Sequence, residues 1–464
     1  MADSKQRAGQ VAGLARLEAL FPRRFETGQA VRRQHANTLS SIENQAPDAV
    51  VWAETASDVV RIVEIASEFG LPVIPFGAGT SLEGHVNAPS GGVCVDMSRM
   101  NAVLRCSPDD LDCTVEAGIT LGQLNKYLRD TGLFFSVDPG AEHATLGGMA
   151  ATRASGTNTV RYGTMSDNVL SLTAVMADGR VVETGNRARK SAAGFDLTRL
   201  LIGSEGTLGI ITALTLRLHP LPETIGAAVA TFDTLEAACT AAIVATKINA
   251  GLARVELVDG LTIAAVNRHS GLSLPAVPTL FIEWHAMASC ASLCANALSD
   301  VLANQGAIGF EIAANADERR RLWTARHEAF WAIRNAWPGR TPVVTDACVP
   351  VSELALCIAQ TETDIRDSGL IAPIAGHVGD GNFHTIIVAD LSDAREADRV
   401  RRFVERLSDR AAAMGGTCSG EHGIGQGKIE ALRRQAGGAV NTMRQIKKAL
   451  DPKGILNPGK IFGA

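Results

Sequence analysis

Two histidines stand seven positions apart in GHVGDGNFH, residues 376–384, with glycines between and before them. Their spacing decides what chemistry they can share. On a helix, positions i and i+7 lie on one face, but Gly379, Asp380 and Gly381 disfavour a helix. On one straight strand, an odd separation sends the two rings to opposite faces. The flanks APIAGHV and FHTIIV read as strands, and Asp380-Gly381 is a strong two-residue turn. The expected hairpin pairs Gly379 with Asn382, Val378 with Phe383 and His377 with His384. Paired residues project to the same face with Cβ atoms roughly 4.5–5.5 Å apart. Downstream, GTCSGEHGIGQGK (416–428) offers Glu421 and His422. Two imidazoles and one carboxylate make a set for a divalent metal with an open position. Taken alone, the histidine pair is better explained by stacking or mutual hydrogen bonding.

Such groups need a large scaffold. The chain has 464 residues, enough for two or three domains. A net charge of -5 gives no nucleic-acid footprint. The nine cysteines form no paired framework, which favours a reducing compartment, and Cys290 and Cys294 sit at core-like helical spacing. The polar N-terminus lacks the apolar stretch of a signal peptide, and no apolar run approaches the ~20 residues of a membrane span. The expected location is the cytoplasm, with peripheral attachment at the inner membrane left open.

Four segments are expected. Residues 1–45 read as a helix and a polar arm. Residues 46–222 alternate strands and helices, opening as strand, helix, strand, with the helix capped at Ser57 and its apolar stripe Val59, Ile62, Val63 and Ala66. LSLTAVMADGRVVETG reads as a hairpin turning at Asp178-Gly179, and Pro220 and Pro222 mark a boundary. Residues 223–415 read as an α+β domain with an antiparallel sheet. Residues 416–464 hold a glycine-rich loop, a helix and a short tail.

The first large segment carries three glycine-rich turns. PFGAGTSLEG (75–84) follows a strand, and its backbone N–H groups, with the hydroxyls of Thr80 and Ser81, suit a phosphate. A Rossmann loop fits poorly, because the third glycine is missing and no helix opens after it; a Walker loop fails for want of Gly-Lys-Ser/Thr. DPGAEHATLGGMAATRASGTNTVRYG (138–163) and GSEGTLGIIT (203–212) add two more cradles. Each alone reads as a tight turn. Together they suit a long ligand with a pyrophosphate and an extended planar end.

PFGAGTSLEG, DPGAEHATLGGM, ASGTN, RYGTMSDNV and GSEGTLGIIT resemble the flavin-binding half of the D-lactate dehydrogenase/D-2-hydroxyacid dehydrogenase group, within the vanillyl-alcohol-oxidase-like (PCMH-type) flavoproteins. TDACVP, GHVGDGNFH, GTCSGEHGIGQGK and NPGKIF resemble its C-terminal half. The resemblance runs from about residue 45 to the end and is nearer the D-lactate branch than the D-2-hydroxyglutarate branch. It implies an α+β fold: a two-subdomain FAD-binding domain, an antiparallel-sheet substrate (cap) domain, and a C-terminal segment returning to the flavin. FAD is expected to bind noncovalently, with His85 and His143 as bystanders.

The resemblance also implies roles. Pro75, Gly77, Ala78, Gly79, Thr80, Ser81 and Gly84 would hold the pyrophosphate. Pro139, Gly140, Thr145, Gly148, Ala151, Ser155 and Gly156 would line the flavin. Glu205, Gly206, Gly209 and Ile210 would meet the adenine or ribose side, and Asn457 the isoalloxazine. His377, His384 and Glu421 are the expected ligands of zinc or manganese. Such a cation makes the hydroxyl of a 2-hydroxy acid more acidic, His422 accepts the proton, and the hydride passes to flavin N5. Arg326 lies in ERRRLWTARHEAFWAIR, expected as one helix with Leu322, Trp323, Phe330 and Ile333 on its face. A guanidinium on an apolar stripe needs an anion, here the substrate carboxylate. Trp323, Phe330 and Trp331 read equally well as side-chain pocket or as core.

Two departures bear on the substrate. Where dicarboxylate-using relatives carry a lysine before TDACVP, this chain has Val344; where they carry an asparagine after the second hairpin histidine, it has Ile386. The expected substrate is therefore D-lactate or a longer apolar D-2-hydroxy acid. D-2-hydroxyglutarate or glycolate oxidation on the same fold is the alternative, and a flavin-free metal hydrolase or a noncatalytic flavin-binding subunit are readings of other kinds. The electron acceptor is open among a quinone, a cytochrome and an electron-transfer flavoprotein, with NAD disfavoured. Homodimer assembly is left open.

Overall fold

The computed structural model describes residues 2–36, 39–248 and 250–463, with side chains from Arg7 onward. Met1, Asn37, Thr38, Asn249 and Ala464, which fall in the expected arm, cap domain and C-terminal segment, lie outside the described residues. The chain divides into two units: Met1–Ser155 with Thr164–Leu221 and Glu421–Ala464, and Gly156–Gly163 with Pro222–Gly420.

The first unit holds two principal sheets. In one, strands Ala49–Trp52, Val93–Asp96 and Val73–Phe76 run parallel, with Phe25–Glu26 antiparallel at the edge. Parallel strands of one sheet need a crossover, and helix Ala56–Phe69 carries the chain from Ala49–Trp52 past the central strand to Val73–Phe76. Its Val59, Ile62, Val63 and Ala66 are fully buried, as their helical spacing predicts. Its cap is Thr55 rather than Ser57: Thr55 accepts from Asp58 N, and Asp58 answers on the cap's own N–H. Thr55 is preferred because only it has Asp58 at the reciprocal third position. The other sheet is antiparallel, with strands ordered Val103–Ser107, Asp112–Glu116, Ile210–Arg217, Val169–Val175 and Val181–Glu183. The hairpin at Asp178-Gly179 forms as expected, with Gly179 at φ 84° and Met176 N donating to Arg180 O at 2.9 Å.

The second unit is built on an antiparallel sheet ordered Ala307–Ile312, Thr224–Phe232, Thr279–Ala286, Leu252–Val258, Ile374–Gly376, Asn382–Ala389 and Thr341–Val344, with Ala347–Cys348 also on Asn382–Ala389. Alternation divides its side chains. Ala228, Val255, Leu257, Ile282, Phe383 and Ile387 pack under helices Leu235–Thr246, Ala291–Asn304, Leu354–Ser368 and Ala394–Ala413. The opposite face carries Arg254, Glu256, Glu283 and His384, beside smaller apolar clusters. Residues 156–163 join this unit because helix Thr159–Tyr162 packs on strand Leu252–Val258 and Asn158 accepts from Arg254 Nε at 2.7 Å. Residues 416–420 join it because Thr417 bridges Cys348.

Two expectations are corrected here. The histidine hairpin is not a two-residue turn. A 3₁₀ turn covers Val378–Asp380, Gly381 closes it at φ 83°, and His384 pairs with Ala375 rather than His377. The register therefore differs by two. An even slip preserves the face, so the imidazoles still meet, with ring centroids 5.4 Å apart at 80°. The expected single helix over ERRRLWTARHEAFWAIR is two, Ala316–His327 and Ala329–Ala336, which break at Glu328. The break lets Trp323 and Ile333 reach different core clusters.

Candidate active site

A long cavity of about 1250 Å³, including space open to solvent, runs through the first unit. Its wall contains Pro75, Gly77, Ala78, Gly79, Thr80 and Ser81 from the first glycine loop, and Pro139, Thr145, Gly148 and Ala151 from the second. Glu205, Gly206, Gly209, Ile210 and Asn457 line it as well, as do Glu421 and His422. Gly84, Gly140 and Ser155 stand off that wall, and Gly156 belongs to the second unit. His85 and Met149, not expected as ligands of the flavin, are on it.

The cavity fits FAD chemically. Buried polar atoms normally have partners, yet Ser81 Oγ and His85 Nδ1 have no hydrogen-bond partner among the described residues. These are positions where a ligand with phosphate, ribose and heterocycle acceptors and donors satisfies the wall. Close approach is built in at Gly77, where a Cβ would stand 2.1 Å from Thr145 Oγ1. Thr145 caps helix Leu146–Thr152, so displacing it disturbs the second cradle too. Gly77→Ala is expected to lower FAD occupancy roughly tenfold, an overpacking cost, read as the flavin absorbance to protein ratio after purification.

The loop carrying Glu421 and His422 is pinned within this unit. The fully buried Glu205 accepts from Ile424 N at 2.6 Å and Gly425 N at 2.8 Å. Gln426 N donates to Glu83 O at 2.7 Å, and Lys428 Nζ lies 3.3 Å from Glu83 Oε1. Ser155 Oγ donates to Glu421 Oε2 at 3.1 Å. Gly425 must be glycine, since φ is 48° and a Cβ would meet Glu83 O at 2.1 Å. Asn457, at φ 39°, donates to the backbone oxygens of His85 and Glu205 and accepts from the buried Lys460. Glu205 is thus a hub that holds the loop of Glu421 and His422, a role its glycine-rich setting in GSEGTLG conceals.

Burial alone would push the Glu205 carboxyl up; the His85 ring 3.4 Å away and the two loop N–H groups outweigh it and hold it below the ordinary range. A depressed folded value stabilises above the unfolded one and is lost as pH falls through the folded one. Glu205→Gln is therefore expected to lower the melting temperature near neutrality, with the gap to the parent protein closing as pH drops below about 4. A gap unchanged down to pH 3 would show that charge is not the cause.

On the second unit's sheet, His377 Nδ1 lies 2.8 Å from both oxygens of Glu256, and His384 Nδ1 lies 3.0 Å from Thr345 O. Both partners are acceptors, so each Nδ1 carries a proton, the arrangement in which a metal-bound imidazole uses Nε2. Imidazoles of this kind are among the residue types that a divalent cation takes as ligands. Glu421 and His422 lie in the first unit. Asp346 of TDACVP is fully buried, takes hydrogen bonds from Asn382 and Ser419, and stands 3.8 Å from His384.

Arg326 sits in the last turn of its helix, nearly buried, with Nη2 2.6 Å from Glu256 Oε2. Its Nε has no partner among the described residues. Trp323 is buried in the cluster with Val229, Val258, Ile263 and Phe281, under the Arg254 guanidinium at 4.9 Å. Sequence reasoning missed Glu256; the signal was a lone carboxylate inside the apolar strand RVELV. Val344 and Ile386 are direct cross-strand partners, and Ile386 is two residues from His384 on the same face.

Residues 47–185 match the FAD binding domain family, and residues 221–461 match the family described as FAD linked oxidases, C-terminal domain. A probable mitochondrial D-lactate dehydrogenase of Danio rerio is 46% identical over 94% of this chain and 88% of its own length. A mitochondrial D-lactate dehydrogenase (cytochrome) of Arabidopsis thaliana is 41% identical over 97% of this chain and 80% of its own length. Among solved structures, p-cresol methylhydroxylase shares the fold with a TM-score of 0.82 at 18% identity, over 98% of this chain and 97% of that one. The chain is a flavin-dependent oxidoreductase of the FAD-linked oxidase family, in the group that holds the D-lactate dehydrogenases.

Proposed function

We propose that the protein oxidises a D-2-hydroxy acid, D-lactate above others, with noncovalent FAD and one zinc or manganese ion. The observation that carries this reading is the row of groups on one sheet face: His384 and His377 with Nδ1 of each against an acceptor, Arg326 within reach of Glu256, and the apolar pair Val344 and Ile386 alongside. The names of the Danio rerio and Arabidopsis thaliana relatives support lactate.

Each residue has a task. Arg326 has five N–H donors; with one directed at Glu256, its Nε edge is suited to the substrate carboxylate. His377 and His384 would hold the cation, with Glu421, the first residue after the second unit, as third ligand. A bound divalent cation supplies Lewis acidity toward a hydroxyl oxygen. His422 accepts the hydroxyl proton at its ring nitrogen, which an imidazole does near neutral pH. FAD, when bound, supplies the two-electron acceptor. The acceptor that reoxidises the protein is proposed to be a cytochrome, as the Arabidopsis thaliana relative's name states for that enzyme. Among the described residues no helix is long and apolar enough to cross a membrane.

Val344 and Ile386 offer no donor to a second carboxylate. Val344→Lys is expected to raise kcat/KM for D-2-hydroxyglutarate relative to D-lactate by roughly 10- to 150-fold, the worth of a charged hydrogen bond. The test is steady-state turnover of D-lactate, glycolate and D-2-hydroxyglutarate with an artificial electron acceptor. A parent protein that prefers the dicarboxylate, or a variant with an unchanged ratio, would contradict the substrate assignment.

A further inference from the structure

Glu256 is a carboxylate with no exposure to solvent, in the middle of strand Leu252–Val258. A charge so placed is costly unless it is paired and hydrogen-bonded. Its pairing is specific. One oxygen is 2.6 Å from Arg326 Nη2, and both are 2.8 Å from His377 Nδ1. A purely structural ion pair would need only the arginine. Here the same carboxylate also fixes which imidazole nitrogen is protonated.

We propose that Glu256 is a positioning residue that ties the metal-ligand histidine His377 to the substrate-carboxylate arginine Arg326. The inference rests on the metal and substrate reading given above. Its consequences for His377 are two. The Nδ1–H···carboxylate bond sets the ring orientation, and the negative charge makes Nε2 a stronger donor to a cation. For Arg326, the bond at Nη2 holds the guanidinium plane and leaves the Nε–H for a carboxylate oxygen in a fixed direction. The cation and the carboxylate of one substrate molecule are then located by a single rigid group. The strand pairing supports this arrangement. Val258 pairs with Ala375, and Ala375 with His384, so Glu256, two residues from Val258 on its strand, and His384 project from the same face of the sheet.

The decisive experiment uses the FAD-loaded full chain, stripped of metal, and titrates Zn²⁺ against a chromophoric chelator for the parent protein and Glu256→Gln. The amide is isosteric and keeps one hydrogen bond but not the charge. The expected result is a Zn²⁺ affinity weaker by about 10- to 100-fold, the usual loss on removing such a partner, with the flavin to protein ratio unchanged. In Zn²⁺-saturated protein the KM for D-lactate is also expected to rise, because Arg326 loses its fixed edge. A structural ion pair predicts instead a lower melting temperature with the same Zn²⁺ affinity and KM in the folded fraction, and that outcome overturns the proposal. A parent protein that takes up no Zn²⁺ or Mn²⁺ overturns the metal reading and this inference with it. Should Glu256→Gln not fold, Glu256→Asp is measured in the same way: its shorter reach is expected to weaken Zn²⁺ by at least about tenfold, and an unchanged affinity overturns the proposal.

Discussion

Replacing His422 by alanine is expected to leave a yellow protein whose turnover of D-lactate falls by about 10²- to 10⁴-fold, the contribution of a general base. The imidazole lies on the wall of the flavin cavity, and its loop is held by groups other than itself. Glu205 binds the N–H groups of Ile424 and Gly425, and Glu83 binds those of Gln426 and Gly427. Loss of the ring therefore removes proton acceptance without releasing the loop. The measurement is kcat with D-lactate alongside the flavin content. Partial recovery by added imidazole would mark the defect as chemical. A variant that keeps full turnover would take His422 out of the mechanism, and one that loses flavin would make it a structural residue.

His377→Ala and His384→Ala are each expected to abolish metal binding and to slow turnover by roughly 10³-fold, the several kcal/mol that a Lewis acid contributes to such a barrier, while FAD stays bound. Retention of FAD follows from where the residues are. The flavin cavity is walled by residues of the first unit alone, and both histidines belong to the second. Metal content by elemental analysis, beside the flavin spectrum, decides the matter. Loss of flavin with metal retained would contradict the separation of the two cofactor sites.

Much of this was legible in the residue pattern. The glycine-rich turns named the cavity because glycine at Gly77, Gly206 or Gly425 is required by close approach, and close approach is a backbone property that sequence records directly. The face-sharing of His377 and His384 was also legible, although the turn was not. A two-residue turn and the observed longer one differ by an even register slip, which sequence alternation cannot distinguish. Glu256 was hidden for a different reason. Nothing nearby in the chain explains a carboxylate in RVELV; its partners are 70 and 121 residues away. Glu205 was seen but given to the ligand, since its hold on residues 424 and 425 is likewise long-range. The break at Glu328 was missed because each half of the segment keeps good helical spacing, and only the two separate core clusters show why they part.

Anaerobic mixing of the purified protein with D-lactate and, separately, L-lactate, following the flavin band near ~450 nm, tests the central claim most directly, since bleaching reports electron transfer from substrate to cofactor. Rapid bleaching by D-lactate and none by L-lactate is the predicted result. A yellow protein that D-lactate leaves oxidised would contradict it.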